Sequence, residues 1–393
     1  MSNRMELSAD VRIPREIARQ GTLRDWQAAV EAAVTATNCP HWTLGAAGGF
    51  VGSVVQLCGF DTCGINFSGP SSCGKTLAQQ LAVSVWTCPR LTSGGLLRPA
   101  NFTANSIELL ARQSNGTVLG LDELALIDGK TFGQVIYGLA AGVGKARMTA
   151  GLRLRRSIKW STFVVLSCES TLEHKIKRDG GRWSGGMAAR FADIDCSDVN
   201  RKVPANTIAA IGAMQRHYGE AGIAFIRRFL AEDLHRDPDA LRQRIVKMAN
   251  TLAGDDVVGA QVRAALPFAL LDICGELARA FGVLPKTADV KGAIHWAWKA
   301  FTASSGARAL EPEQQAENNL RRHVAEHRDI TIKKTELSDN VRNNRDAIGW
   351  YDSKAVYIRP TALPTPPAVC SASARSAACW RSGNCSPITR RDG

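Results

Sequence analysis

Eight consecutive residues that start at Gly69 have the types and the spacing that bind a chain of phosphates. They read Gly69-Pro70-Ser71-Ser72-Cys73-Gly74-Lys75-Thr76 and satisfy the pattern GxxxxGK[ST]. The glycines let backbone N–H groups converge on phosphate oxygens, and the N-terminus of the helix that follows adds positive potential. Lys75 is expected to bridge the β- and γ-phosphates, and the Thr76 hydroxyl is expected to ligate Mg²⁺. The sequence therefore predicts a site for ATP and Mg²⁺.

Two carboxylates follow a short apolar run further along the chain. Val118–Leu121 ends in Asp122 and Glu123, forty-six residues beyond Thr76. We expect Asp122 to hold Mg²⁺ through its hydration shell and Glu123 to polarise the attacking water, just beyond the C-terminal edge of a sheet. Acidic residues after a strand are also ordinary helix caps, so the catalytic interpretation depends on the pairing with the phosphate loop.

A third polar position ends the apolar run Trp160–Leu166. Ser167 is predicted to sense the γ-phosphate, as polar residues at this place do in P-loop motors of the additional-strand class. Ser170 and Glu169 are the alternates, and a plain strand-end cap is the competing interpretation.

Arg190 follows the glycine-rich run Gly180–Gly186. An arginine at this position is predicted to reach the γ-phosphate of a neighbouring subunit and to stabilise transition-state charge, the role of an arginine finger. The alternative is a solvated or phosphate-binding arginine in a basic loop.

The elements that must position these residues alternate between strands and helices. Strands are predicted at Ile65–Phe67, Val118–Leu121, Phe163–Leu166 and Ala192–Ile194. The alternation predicts an α/β fold, a three-layer P-loop NTPase core with a mostly parallel sheet of the additional-strand (AAA+-like) or helicase-like type. The predicted domains are a helical lead-in (1–60), the ATPase core (61–200), a helical domain (201–305), a small winged-helix-like unit (306–361) and a disordered tail (362–393).

The lead-in contains a long uncharged stretch, Ala32–Phe60. Pro40, His41, Gln56 and several glycines make it a poor membrane-spanning helix, so we expect a buried helix packed on the neighbouring domain. No secretory signal is visible at the N-terminus, and the eleven cysteines include no CxxC pair. These features predict a cytoplasmic protein that does not contact a membrane.

The chain is basic, with 49 Lys and Arg against 36 Asp and Glu and a formal net charge of +13. Residues 145–190 contribute +8 and residues 364–393 contribute +3, so the remainder is nearly neutral. The concentration of charge indicates a polyanionic partner. The composition, 45% hydrophobic and 22% charged, excludes wholesale disorder and fibrous structure.

A β-hairpin is predicted within this basic segment, with Gly151 between its two arms. The arms carry the predicted nucleic-acid contacts Lys145, Arg147, Arg153, Arg155 and Arg156. A hairpin ahead of the strand that ends at Ser167 would point into the central channel of a ring, where it would follow single-stranded DNA or RNA by charge. The alternative is a solvated basic loop, or one that binds an acidic protein.

With these residues in view, the chain resembles the bacterial and phage family called domain of unknown function 927, whose members look like the helicase halves of mobile-element primase-helicase proteins. The resemblance runs from about Trp26 to Pro360. It rests on Gly69–Thr76, the helix to Trp86, Leu121–Leu124, Gly144–Arg147, His217–Gly219 and Ala221–Phe225.

Two positions depart from the pattern of that family. Cys73 stands where threonine is more usual, which leaves phosphate binding intact because the backbone carries it. Leu91–Pro99 looks like an insertion in a normally short link after the P-loop helix, near the expected adenine side.

Motifs and resemblance together predict a Mg²⁺-dependent, helicase-like ATPase of a plasmid, phage or other mobile element that translocates on or remodels single-stranded nucleic acid. We expect a homo-oligomeric ring and a primase supplied by another protein or an upstream domain. Two alternatives stay open: a non-motor switch in which ATP orders the basic segment, and a remnant that binds nucleic acid without hydrolysing ATP.

Overall fold

A computed structural model of the chain describes residues 16–127, 129–145, 157–254, 259–311, 320–321, 323–328, 330–334, 347–351 and 356–358. The chain divides into two compact units, Met1–Leu310 and Glu311–Gly393.

The first unit is built on a five-stranded sheet. Its strands are β1 (Cys63–Ser68), β2 (Leu97–Pro99), β3 (Val118–Asp122), β4 (Phe163–Cys168) and β5 (Phe191–Asp195). The order is β2-β3-β4-β1-β5, and every neighbouring pair is parallel. Because all five strands run the same way, the loops that follow β1, β3 and β4 meet at one end of the sheet, beyond the C-terminal ends of the strands.

Four of the strands agree with those predicted from the sequence, and β2 was missed. β2 is only three residues long and is the outermost strand of the sheet, paired with β3 alone. Pro99, which has no backbone N–H, is tolerated there because no strand lies on its outer side to accept a hydrogen bond. The segment Leu91–Pro99 therefore ends in an edge strand, on the opposite side of the sheet from β5.

Helices cover both faces of the sheet. They are α1 (Leu23–Val34), α2 (Pro40–Leu57), α3 (Lys75–Ser84), α4 (Ala104–Gln113), α5 (Gly129–Ala141), α6 (Leu172–Arg178), α7 (Gly185–Ala188), α8 (Ala205–Ile211), α9 (Glu220–Ala231), α10 (Pro238–Ala253), α11 (Gly259–Ala280) and α12 (Val290–Ala303). Thr22 caps α1, because its side chain accepts a hydrogen bond from the Asp25 N–H at 3.1 Å.

The uncharged stretch of the lead-in forms α2, which is buried along most of its length. Its glycines explain how closely it packs. A Cβ atom at Gly45 would lie 2.2 Å from the carbonyl oxygen of Ala78, and one at Gly52 would lie 1.6 Å from that of Thr117. A buried helix was predicted here, and no described helix is long and apolar enough to cross a bilayer.

The lead-in, the sheet and the helices after Pro204 share one core. Helix α2 packs against α3, α11 and α12, and the Phe50 ring lies 4.9 Å from that of Phe225 on α9. Separate domains at 1–60, 61–200 and 201–305 were predicted, but these segments belong to a single compact unit that continues to Leu310. The reason is that α2 is buried along most of its length and packs against elements that precede and follow the ATPase core in sequence.

The second unit contains a three-stranded sheet of β6 (Ile332–Lys334), β7 (Gly349–Tyr351) and β8 (Val356–Ile358). β7 pairs with β6 in parallel and with β8 antiparallel. All three short strands fall within the predicted winged-helix-like unit (306–361), much of which lies outside the described residues. The winged-helix interpretation is not confirmed.

Candidate functional site

The loop Gly69–Thr76 leaves the C-terminal end of β1 and enters α3. Gly69 and Gly74 adopt positive φ angles of 135° and 74°, and Ser72 has a φ of 67°. Gly74 is required for a second reason. A Cβ atom there would lie 2.7 Å from Nε1 of Trp42, which donates a hydrogen bond to the Gly74 carbonyl oxygen at 3.1 Å. Sequence patterns did not predict the contribution of Trp42, because it precedes the loop by a whole strand.

Lys75 is folded over this loop. Its ammonium donates hydrogen bonds to the carbonyl oxygens of Gly69 (2.7 Å) and Pro70 (2.8 Å), and the residue is only 8% exposed. The charge is therefore fixed at the mouth of the loop by backbone oxygens that a stronger acceptor, such as a phosphate oxygen, can replace.

Asp122, at the end of β3, joins the loop to the neighbouring strand. The Thr76 hydroxyl lies 3.0 and 3.2 Å from its two carboxylate oxygens. On the other side the Ser167 hydroxyl donates to Oδ1 of Asp122 at 2.6 Å, and the Glu123 N–H donates to the Ser167 oxygen at 3.0 Å. Residues from three elements, predicted separately, therefore form one hydrogen-bonded chain.

Gln79 holds β3 and β4 in alignment behind this chain. Its side-chain amide is buried and donates to the carbonyl oxygens of Leu121 (2.8 Å) and Val165 (2.9 Å). Leu121 immediately precedes Asp122, and Val165 lies two residues before Ser167. A mid-helix glutamine gives no local sequence signal for this role, since both acceptors are more than forty residues away.

Glu123 has an unusual backbone for a residue with a side chain, with φ 57° and ψ 65°. Its Oε1 is buried and has no hydrogen-bond partner among the described residues. Backbone strain and unsatisfied buried acceptors are concentrated at functional sites, so both features mark Glu123 as a candidate functional residue.

These side chains line one cavity of about 490 Å³. Its described lining is Trp42, Ser71, Ser72, Cys73, Gly74, Lys75, Thr76, Leu77, Gln80, Asp122, Glu123, Ser167, Glu169, Asn200, Arg201, Val203 and Ile208. Hard oxygen donors from Thr76 and Asp122 lie beside the Lys75 ammonium, an arrangement that fits Mg²⁺ and a polyphosphate. Leu91–Pro99 contributes nothing to this described lining, so the insertion lies away from it.

The alternates to Ser167 have other hydrogen-bond partners. Glu169 accepts a hydrogen bond from the Ser71 hydroxyl at 2.6 Å and so fastens the loop to the end of β4. Ser170 lies near the Cys168 sulfur and is outside the described lining of the cavity. Of the three, Ser167 is the one hydrogen-bonded to Asp122.

His41 lies buried behind the loop, with the rings of Trp42, Phe67 and Trp296 at 5.4 to 6.4 Å. The pKa of the imidazole is lowered to about 4, chiefly by burial and also by the nearby Lys75 charge, against a smaller raising effect of the Cys73 backbone. His41 is therefore neutral at pH 7 and packs as an aromatic residue.

Arg190 is not part of this cavity. Its carbonyl oxygen accepts a hydrogen bond from the Gly64 N–H at 2.8 Å, at the start of β1, whereas the loop follows the end of β1. Gly64 and Gly69 are five residues apart along the strand, a distance of about 17 Å. The half-exposed guanidinium donates to the Gly186 carbonyl at 3.2 Å and lies 4.0 Å from Asp61. Arg190 therefore lies outside the described lining of the phosphate cavity of its own chain.

The base of the predicted hairpin is antiparallel. Val143 and Lys159 form a bridge, flanked by hydrogen bonds from the Gly144 N–H to Ile158 (2.7 Å) and from the Trp160 N–H to Gly142 (3.0 Å). Exposed Lys145 follows, and its N–H donates to buried Glu108 at 3.1 Å. The other predicted nucleic-acid contacts, Arg147, Arg153, Arg155 and Arg156, lie outside the described residues.

Not all of the charge counted in residues 145–190 is available to a partner. The side chain of Lys175 is 2% exposed, and its ammonium donates to the Ile127 carbonyl (3.0 Å) and to Asp179 (3.2 Å). It fixes the turn that follows Glu123. Lys177 is paired with Glu173, which lowers the pKa of Glu173 against the effect of its burial.

Sheet order, loop and carboxylates together define an α/β protein with a phosphate-loop-like site. Residues 2–157 match the model of the family described as "Domain of unknown function (DUF927)". This match confirms the resemblance over that part of the chain. No curated protein sequence matches the chain.

The fold is similar to a solved structure described as "SCCmec type IV Cch - active helicase", with a TM-score of 0.67 and 17% identity. The alignment covers 94% of this chain and 65% of that one, so this chain spans less than two thirds of the helicase chain. At this identity the likeness shows the fold alone. NtrX from Brucella abortus in complex with ATP aligns at 16% identity over 69% of this chain and 60% of that one, but its TM-score of 0.24 supports no likeness.

Proposed function

We propose that the chain is a Mg²⁺-dependent ATPase of the additional-strand class that acts on single-stranded nucleic acid. The observation that carries the proposal is the convergence of Lys75, Thr76, Asp122, Glu123 and Ser167 on one cavity. The position of β4 between β1 and β3 is the strand order expected for this class.

Each residue of the cavity has a defined part in hydrolysis. Lys75 would exchange its two carbonyl acceptors for β- and γ-phosphate oxygens, and Thr76 and Asp122 would hold Mg²⁺, which neutralises charge on the phosphates. Glu123 has a buried, unpartnered carboxylate oxygen that would orient the attacking water and accept its proton. Ser167 would report the state of the γ-phosphate to Asp122 and Glu123, because it is hydrogen-bonded to both.

The position of Arg190 supports a ring. Arg190 lies at the N-terminal ends of the strands, and the phosphate loop lies at their C-terminal ends. In a head-to-tail assembly its half-exposed guanidinium would face the site of the adjacent subunit. Its positive charge would then stabilise the transition state of the neighbour.

The basic segment supports a nucleic-acid partner. Its antiparallel base is fixed by Glu108 and by Trp160, whose indole N–H donates to the Leu139 carbonyl at 3.0 Å. Such a base would anchor the basic segment, whose lysines and arginines can follow a phosphate backbone. The likeness in fold to a chain described as an active helicase supports a helicase-like role, and we propose translocation on DNA in a mobile element.

The direct experiment compares nucleotide binding and hydrolysis in three purified proteins. Wild type should bind and hydrolyse ATP with Mg²⁺, Glu123→Gln should bind ATP and not hydrolyse it, and Lys75→Ala should not bind. A wild type that binds no nucleotide would overturn the proposal. A wild type that binds ATP without hydrolysing it under any condition would favour the non-motor switch.

A further inference from the structure

A second cavity lies beside the phosphate cavity and shares two residues with it. Its volume is about 360 Å³, and Asn200 and Val203 line both cavities. We call this second cavity the side groove. It lies between the end of α1 and the start of α8. Nothing in the proposed roles of the phosphate loop, the carboxylates or Ser167 uses it.

We propose that the side groove binds the nucleoside, the ribose and base, of a nucleoside triphosphate whose phosphates lie in the Gly69–Thr76 loop. The inference rests on the proposed nucleotide-binding function and adds to it the residues that would distinguish a nucleotide from a bare polyphosphate.

Continuity is the first argument. A phosphate chain held by Lys75 and the loop must leave along the first turns of α3, where Leu77 and Gln80 continue the cavity wall. Asn200, Val203 and Ile208 line the same cavity, and the first two continue into the side groove. The groove is thus directly connected to the site at which a nucleoside would emerge.

The chemistry of the walls is the second argument. Small apolar residues and polar residues alternate around the side groove: Ala32, Ala36 and Ala210 are small and apolar, and Thr35, Thr37 and Thr207 carry hydroxyls. Ile208, at the junction, is a large apolar side chain that is 42% exposed. Apolar walls with a few placed polar groups are typical of sites for flat heterocycles, and a base lying on Ile208 and Val203 would cover an otherwise exposed surface.

The junction between the phosphate cavity and the side groove is fixed by hydrogen bonds of Asn200. The Asn200 N–H donates to the Asn38 carbonyl at 3.0 Å, and its side-chain amide donates to the Thr37 carbonyl at 3.2 Å. The Asn200 side-chain oxygen accepts from the Lys202 N–H at 2.9 Å. These bonds tie the segment after β5 to the segment after α1, so the two walls of the groove are held in place before a ligand binds. Preorganised walls reduce the entropic cost of binding.

Alanines on α8 allow a matched test. Ala209 and Ala210 are both exposed. Ala210 lines the side groove, whereas Ala209 lies outside the described lining of both cavities. Ala210→Trp should fill the groove, and Ala209→Trp should add the same bulk to the same helix without doing so. Affinities for ATP and for inorganic tripolyphosphate, each with Mg²⁺, would be measured by calorimetry on the full chain.

We expect Ala210→Trp to weaken ATP binding by about tenfold or more and to leave tripolyphosphate binding within about twofold, with Ala209→Trp unchanged for both ligands. Unchanged ATP affinity in Ala210→Trp would overturn the inference and leave the proposed function standing. Equal loss of both ligands would also overturn it, since the substitution would then act on the phosphate loop. A wild type that binds neither ligand would instead overturn the proposed function itself.

Discussion

Ser167 donates a hydrogen bond of 2.6 Å to Asp122 across the neighbouring strands β4 and β3. Ser167 also accepts the N–H of Glu123, so one hydroxyl contacts both of the residues proposed to hold Mg²⁺ and to activate water. A γ-phosphate that draws the Ser167 hydroxyl toward itself would change the hydrogen bonding of both carboxylate residues at once. In the proposed function, sensing and hydrolysis would thereby be linked through a single side chain.

Replacing Ser167 with alanine should slow hydrolysis more than it weakens binding. The loss of a hydroxyl that positions Asp122 and Glu123 should reduce kcat by about tenfold or more and change the ATP dissociation constant only about twofold. Steady-state kinetics with Mg²⁺-ATP would give both values. Ser170→Ala is the matched control, because Ser170 is outside the described lining of the cavity. A Ser167→Ala variant with wild-type kcat would contradict the linkage.

Arg190→Ala should lose hydrolysis while keeping ATP binding, because the arginine is proposed to act on a neighbouring subunit. Mixing it with Lys75→Ala should restore part of the activity, since some interfaces then combine an intact loop with an intact arginine. The measurement is the ATPase rate of each protein alone and of the mixture. Arg228→Ala, which removes a surface arginine paired with Glu232, is the control. Absence of any recovery in stable mixed oligomers would argue against action between subunits.

Reversing Arg153, Arg155 and Arg156 to glutamate should weaken binding to single-stranded DNA and flatten its dependence on salt. The reason is that each lysine or arginine on the backbone releases condensed counterions, so the slope of log affinity against log salt reports their number. A triple reversal of exposed Arg24, Arg227 and Arg263 makes the same change in net charge elsewhere. Equal effects of the two triple variants would mean that overall charge, not the basic segment, governs binding.

Asp193 predicts a pH dependence of stability. The pKa of its carboxyl is raised to about 7, chiefly by burial and also by nearby Glu173, against the lowering effect of hydrogen bonds from Asn66 and the Leu172 N–H. The unfolded carboxyl titrates near pH 4, so between about pH 4 and 7 the folded state holds a proton that unfolding releases. Stability therefore falls as the pH rises through this window, by at most about 1.4 kcal/mol per pH unit, and levels off above it.

Denaturant unfolding of wild type and Asp193→Asn across pH 4 to 8 would test this sign. The wild type should lose stability relative to the variant as the pH rises to about 7, and exposed Asp198→Asn should run parallel to wild type. A wild type that gains stability relative to Asp193→Asn over the same range would contradict the assignment.

The phosphate loop and the carboxylates could be predicted because their chemistry depends on near neighbours in sequence. Gly69 to Thr76 is a single local pattern, and Asp122 and Glu123 directly follow an apolar strand. Ser167 could be predicted from its place at the end of a strand, though Glu169 was an alternate until the hydrogen bond to Asp122 separated them.

Other parts of the site could not be predicted, because they depend on contacts between distant segments. Trp42 caps the loop from a helix in the lead-in, Gln79 bridges two strands, and Asn200 joins the ends of β5 and α1. For the same reason, the domain boundaries predicted from the sequence differ from the observed single unit that ends at Leu310. A glycine-rich helix such as α2 gives no indication of how many elements will pack around it.

The most direct test of the central claim is the ATPase rate of the wild type with and without single-stranded DNA, measured beside the particle size. The account predicts Mg²⁺-dependent hydrolysis that single-stranded DNA increases several-fold, in particles larger than a monomer, and that disappears in Glu123→Gln. No hydrolysis in the presence of single-stranded DNA, by a protein that binds ATP, would contradict it.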